Sequence, residues 1–86
     1  MADYAVVFAR SARKELQNLD PQVARRILKQ IEGLVTDPRP PGVVKLEGAT
    51  DLWRIRVGQW RVVYRVSDSD HLVDVTAVRH RSDAYR

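Results

Sequence analysis

Arg54, Arg56 and Arg61 lie close together in segment 51–66, and their spacing is the first sign of chemistry in the chain. Around them the residue types alternate. Trp53, Ile55 and Val57 alternate with Leu52, Arg54 and Arg56; Trp60, Val62, Tyr64 and Val66 alternate with Arg61, Val63 and Arg65. Period-two alternation on both sides of Gly58-Gln59 predicts a β-hairpin. Gly at the first central position of such a short loop suits a type II′ turn. In that register Val57 faces Trp60, Arg56 faces Arg61 and Arg54 faces Val63. Three guanidinium groups then share one face of the sheet, two of them directly opposite each other. Like charges across a ladder destabilise it unless an anion lies between them, so the hairpin predicts a polyanionic ligand.

The elements that must position this hairpin follow from pattern and punctuation. Residues 4–8 form a short apolar run with β-branched members and read as a strand. Phe8, Ala12, Leu16 and Leu19 recur at helical spacing, with Arg13, Lys14, Glu15 and Gln17 on the other side. Asp20-Pro21 closes this helix and opens the next, since Asp is a favoured N-cap and Pro a favoured first helical residue. The second helix carries Val23, Ile27, Ile31, Leu34 and Val35 as its apolar stripe. Arg25, Arg26 and Lys29 fall outside that stripe, as a solvated face or as contacts for a partner. The run Asp37-Pro38-Arg39-Pro40-Pro41-Gly42 cannot continue a helix and reads as a stiff connector. A short strand is expected around residues 43–46 and another over 72–78. The remaining tail, 79–86, reads as basic and irregular. The result is one α+β domain over residues 1–86, ordered β-α-α-β-β-β. Its two N-terminal helices cover one face of a small, mainly antiparallel sheet. Trp53, Ile55, Val57, Trp60, Val62 and Tyr64 should face the helices, which leaves the arginine face open to solvent.

Composition sets bounds on function. The chain has 86 residues with 15 Lys and Arg against 11 Asp and Glu, a net charge of +4. With a pI near 10.0, that balance favours an anionic partner such as nucleic acid or an acidic protein. The sequence has no cysteine, which excludes disulfides and thiol chemistry and disfavours a structural zinc site. No apolar run is long enough for export or membrane insertion, so the expected location is the cytoplasm.

Four motifs in order across the chain resemble the RelE/ParE toxin superfamily. They are Phe-x-x-Ser-Ala-x-Lys-x-Leu over residues 8–16, Pro-Pro-Gly-x-x-Lys-Leu-x-Gly over 40–48, Arg-Ile-Arg-Val-Gly-x-Trp-Arg-Val-Val-Tyr over 54–64 and Val-x-His-Arg-x-Asp-x-Tyr over 78–85. The resemblance implies the toxin of a bacterial type II toxin–antitoxin pair. RelE-type members cleave mRNA in the ribosomal A site without a metal or other cofactor, whereas ParE-type members poison DNA gyrase. It further implies a RelB-like antitoxin partner, a toxin–antitoxin hetero-oligomer, a monomeric free toxin and no association with membranes.

RNA cleavage of this kind has definite requirements. The 2′-hydroxyl attacks the adjacent phosphate, the 5′-oxygen leaves, and negative charge builds on the phosphoryl oxygens. A protein site must stabilise that charge, move protons at both oxygens, and splay or stack the bases. By resemblance, Arg56, Arg61, Arg81 and Tyr85 are the catalytic set. Arg61 and Arg81 would grip phosphate through forked hydrogen bonds, and Tyr85 would stack on a base or take part in proton transfer. Arg54, Arg65 and Arg79 are the expected additional RNA contacts. Familiar members carry lysines where this chain has Arg54 and Arg56, and an arginine is a poor general base. His80 is the nearby side chain whose ordinary pKa lies near neutrality, which makes it the candidate for proton transfer; Glu47 could also serve, although its place in Leu-Glu-Gly reads as structural. Two other readings stand beside the ribosome-dependent endonuclease: a gyrase inhibitor on the same fold, and an inactive module that binds antitoxin or nucleic acid.

Overall fold

In the computed structural model, which describes residues 3–46, 48 and 51–82, the chain runs β1 (Ala5–Phe8), α1 (Arg10–Gln17), α2 (Pro21–Gly33), β2 (Val44–Lys45), β3 (Leu52–Val57), β4 (Trp60–Ser67) and β5 (Leu72–His80). The strands form one sheet in the order β1-β5-β4-β3-β2. All pairs are antiparallel except β1 with β5, which is parallel. This is the expected α+β arrangement; the short strand expected around residues 43–46 is β2, which makes the order β-α-α-β-β-β-β. Residues 79 and 80, expected in an irregular tail, instead complete β5.

Local chemistry accounts for the elements. The Asp20 side chain accepts a hydrogen bond from Gln22 N at 2.9 Å, and Pro21 occupies the first turn of α2. Gly58 sits at φ 60°, as a primed hairpin turn requires. Helix α1 starts immediately after β1, and Ala9 N still donates to Val75 O of β5 at 2.8 Å. That bond ties α1 to the strand it covers.

The core lies between the helices and one sheet face. Ala12 and Leu16 of α1 and Ile27 and Ile31 of α2, with Leu34 just beyond, meet Ile55, Val57, Val62, Tyr64 and Val66 of the hairpin and Val73, Val75 and Val78 of β5. Trp53 and Trp60 are half-buried at the margin of this core. The inward residues of β5 are spaced two and then three apart because the strand bulges at Thr76. Tyr64 pairs with Val75 and Val63 with Ala77, and Thr76 Oγ1 donates to Val63 O at 3.1 Å. The extra residue keeps Val78 inside and turns Arg79 outward. Unbroken alternation from Val75 would have sent Arg79 into the core.

The proline-rich connector is held at several points. Pro38 is buried, and its carbonyl accepts the Tyr64 hydroxyl at 2.7 Å. Desolvation pushes the Tyr64 phenol up to about 12, so it remains a donor across the working pH range. Arg39 donates two hydrogen bonds to Asp68, at 3.1 and 2.8 Å, and Tyr4 donates a third at 2.6 Å. Arg39 also stacks over the Trp53 ring, 5.1 Å from its centroid.

Removing the buried hydroxyl tests the first clamp. Tyr64→Phe leaves the Pro38 carbonyl without its donor and should cost about 1–2 kcal/mol. In a domain of this size that appears as a fall of several degrees, roughly 4–8 °C per kcal/mol, in the thermal midpoint. A pH titration tests the second clamp. Hydrogen bonds from Arg39 and then Tyr4 lower the Asp68 carboxyl from 3.8 to about 2. Its contribution is therefore complete above pH 4 and is lost as pH falls toward 2. The gap in thermal midpoint between wild type and Asp68→Asn should be widest above pH 4 and close on acidification.

Candidate functional site

Three strands bring three arginines into one transverse row. Arg56 of β3 pairs directly with Arg61 of β4, and Arg61 with Arg79 of β5. The hairpin register is the one its alternation predicts. The third member enters the row only because of the bulge at Thr76. Arg56 and Arg79 are exposed, but Arg61 is only 6% exposed, which corrects the expectation of an open arginine face. Its guanidinium folds back over the hairpin turn, where Nη1 donates to Trp60 O at 3.2 Å and to Gly58 O at 3.5 Å. Its Nε is buried with no hydrogen-bond partner among the described residues. A guanidinium carries five donors, and buried donors are ordinarily paired. Arg61 is thus a desolvated cation with donors to spare.

The row ends in an acid. Arg79 Nε donates to Glu15 Oε2 at 2.6 Å, while Glu15 Oε1 accepts Val78 N at 2.9 Å. Two of the expected RNA contacts are paired with acids: Arg79 of β5 with Glu15, and Arg65 of β4 with Asp51, just ahead of β3, at 3.0 Å. Glu15 lies 64 positions from Arg79 in sequence, and nothing in the pattern of α1 separates it from an ordinary exposed acid.

The remaining candidates fall in different places. Arg54 is half-buried on β3, opposite Val63, on the same face as the row. Arg81 is exposed just beyond β5, and its backbone N donates to Gln59 O at 2.7 Å, fastening the start of the tail to the hairpin turn. Tyr85 and Glu47 lie outside the described residues. His80 pairs across the ladder with Trp60, whose side chain belongs to the helix-facing set, so the imidazole lies on the face opposite Arg61. Its ring meets Trp60 edge-on at 5.3 Å between centroids, and its nitrogens lie 2.9 Å from Ser82 Oγ and 3.2 Å from Gln59 Oε1. The arrangement does not bring it to the arginine row.

Two adjoining cavities run along the outer side of β3. One, about 420 Å³, lies between Gly33 and Gln30 of α2, the connector at Pro40–Gly42 and the strand at Arg54 and Arg56. The other, about 370 Å³, is lined by Arg26, Lys29, Gln30, Arg56, Val57 and Gly58. From the sequence, Arg26 and Lys29 read as a solvated face or as contacts for a partner. Their proximity to Arg56 depends on how α2 lies against the hairpin, which no local pattern encodes.

This architecture has close counterparts. The profile of the family described as "ParE toxin of type II toxin-antitoxin system, parDE" matches residues 6–85. A RelE-like toxin protein of Escherichia coli is 36% identical over 86 residues, covering 95% of this chain and 90% of the relative. This chain belongs to the RelE/ParE superfamily of type II toxins. Among solved RelE structures, the toxin superposes on the RelE–RelB complex from Pyrococcus horikoshii OT3 with a TM-score of 0.83, at 33% identity over 95% of this chain and 99% of that one. For the intact Escherichia coli RelBE complex the TM-score is 0.80, at 29% identity over 90% of this chain and 95% of that one. No helix among the toxin's described residues is long and apolar enough to cross a membrane.

The Glu15 bridge separates two contributions to the toxin's stability. Glu15→Ala removes both the acceptor for Val78 N and the partner of Arg79, and should cost about 1–2 kcal/mol. Glu15→Gln keeps an acceptor for Val78 N and should lose less. Denaturant midpoints of the two variants check the order; equal losses would mean that the backbone contact contributes nothing.

Proposed function

We propose that this RelE-like toxin is a ribosome-dependent endoribonuclease that cuts mRNA in the ribosomal A site. The observation that carries this reading is Arg61, a buried guanidinium with unused donors, flanked in register by two further arginines. Preorganised donors in a desolvated site stabilise developing charge far better than solvated ones. In the reaction the 2′-oxygen bonds to phosphorus and the bond to the 5′-oxygen breaks, leaving a 2′,3′-cyclic phosphate and a 5′-hydroxyl. Arg61 would fork to the non-bridging oxygens, with Arg56 beside it and Arg81 closing from the tail. Tyr85 would stack on a base or pass a proton. Arg54 would hold the flanking backbone. Arg65 and Arg79 would contribute only by exchanging a carboxylate for phosphate, which ranks them below Arg61.

The arginines supply charge stabilisation and leave proton transfer to other groups. His80, on the opposite face, is not the group we assign to it. Ribosomal RNA can orient the message and contribute to the electrostatics, so dependence on the ribosome fits a site with this gap. A RelB-like antitoxin, acidic where it meets the arginine row, would be the natural inhibitor, and the cytoplasm the place where toxin, antitoxin and ribosomes meet. Gyrase inhibition, the ParE-type alternative, gives no role to a buried guanidinium with spare donors, because a poison that only binds protein has no phosphoryl charge to stabilise.

Purified toxin with mRNA-programmed ribosomes tests the assignment. Arg61→Ala should lower the cleavage rate by roughly 10²–10³, the usual loss on removing one transition-state donor, while retaining antitoxin binding. Undiminished cleavage by Arg61→Ala, or equally fast cutting of free RNA without ribosomes, would refute it. The pH–rate profile of His80→Gln should have the same shape as that of wild type; a limb present in wild type and lost in the variant would return proton transfer to His80.

A further inference from the structure

We infer that the groove between α2 and β3 is a binding track for the ribose-phosphate backbone of single-stranded RNA, with Arg26 and Lys29 as its phosphate contacts. The inference builds on the reading of the chain as an RNA-directed toxin and assigns two residues that lie outside the arginine row.

The geometry is that of the two cavities along β3. They share Gln30 and Arg56 and so form one continuous groove from the connector at Pro40–Gly42 to the hairpin turn at Gly58. Strand β2 pairs with β3 at Trp53 and Arg54, and among the described residues no strand covers the stretch 55–57 on that side. The groove therefore follows an open sheet edge. Arg26 and Lys29 are one turn apart on α2 and both exposed. They converge with Arg56 at one end, where the Arg26 guanidinium packs over Gly58, 3.5 Å from where a β-carbon would stand. Among the described residues, none of Arg26, Lys29 and Arg56 has a carboxylate within salt-bridge distance. By contrast, Arg39, Arg65 and Arg79 are each paired with an acid.

The lining decides between kinds of ligand. Among the described residues no aromatic side chain lines either cavity, so those residues offer no platform on which bases could stack. Cations, the Gln30 amide and the glycine backbone match phosphate oxygens and ribose hydroxyls, which position a strand without reading its sequence. Arg56 belongs to both the groove and the arginine row. A strand whose scissile phosphate lies at Arg61 would thus carry its neighbouring phosphates past Arg56 toward Arg26 and Lys29.

The test measures binding apart from cleavage. Full-length purified toxin is titrated with a short, fully 2′-O-methylated RNA, which lacks the attacking hydroxyl, over a series of KCl concentrations. Arg26→Gln/Lys29→Gln should bind roughly tenfold more weakly at ~0.1 M salt. The slope of log affinity against log salt should be shallower by about 1.4, two single-strand contacts at ~0.7 each. The loss should be the same for uridine-rich and adenosine-rich strands, and the charge-conserving Arg26→Lys/Lys29→Arg should keep the wild-type slope. An unchanged affinity and slope in a double variant of unchanged thermal midpoint would overturn the proposal. So would a loss confined to antitoxin binding, which would make the groove a protein contact. Ribosomal cleavage is read in parallel. A toxin that cuts normally with an unchanged salt slope sinks the groove alone, whereas a toxin that never cuts sinks the nuclease reading while the slope still reports on the groove.

Discussion

Everything at the charged face depends on holding three arginines in register on adjacent strands. Directly opposed like charges on a sheet cost up to ~1 kcal/mol per pair. The residues on the other side of the same backbone outweigh that cost. Val62 and Val78, which pair with each other next to the Arg61–Arg79 pair, are 0% and 2% exposed, and burying such a side chain fully is worth roughly 1.5–3 kcal/mol. A slip of one residue would turn every inward valine outward and every arginine of the row toward the helices. The hydrophobic face thus fixes the register, and the charged face is carried along with it.

Two local devices complete the row. The bulge at Thr76 changes the parity of β5, so that Val78 stays in the core and Arg79 lines up with Arg61. Glu15, projecting from α1, then binds both the strand backbone and the Arg79 guanidinium. One acid therefore couples the helix layer to the charged face and neutralises one end of the row. Arg61, in the middle, donates among the described residues to backbone carbonyls and to no carboxylate. Burial strengthens its field by removing competing water, and the unpaired Nε leaves it under-bonded. That combination is costly as structure and useful for binding phosphate.

Much of this was legible in the sequence, and what was missed has physical causes. Alternation around Gly58-Gln59 predicts the hairpin to the residue, because side-chain parity and the turn type act locally. Asp20-Pro21 marks the start of α2 for the same reason. The bulge was not anticipated, although the valine spacing at 73, 75 and 78 carries a trace of it: the inward parity breaks there. The burial of Arg61 depends on how its own side chain folds over the turn, and pattern assigns it only to a face. The acids that pair with Arg79 and Arg65, and the approach of Arg26 and Lys29 to Arg56, are tertiary contacts between elements far apart in sequence. His80 was placed near the site by its position in the chain, yet parity sends its ring to the other face. Tyr85, expected to complete the site, lies outside the described residues.

An arginine row with one desolvated, under-bonded member is costly unless it meets phosphate, and the central claim is that it meets the phosphate of a translated message. Primer extension on a translated reporter transcript after induction of the toxin tests this most directly. The account predicts cuts in the coding region, in phase with codons, that disappear when the start codon is removed. Intact transcripts together with accumulating cleaved DNA–gyrase complexes would contradict it.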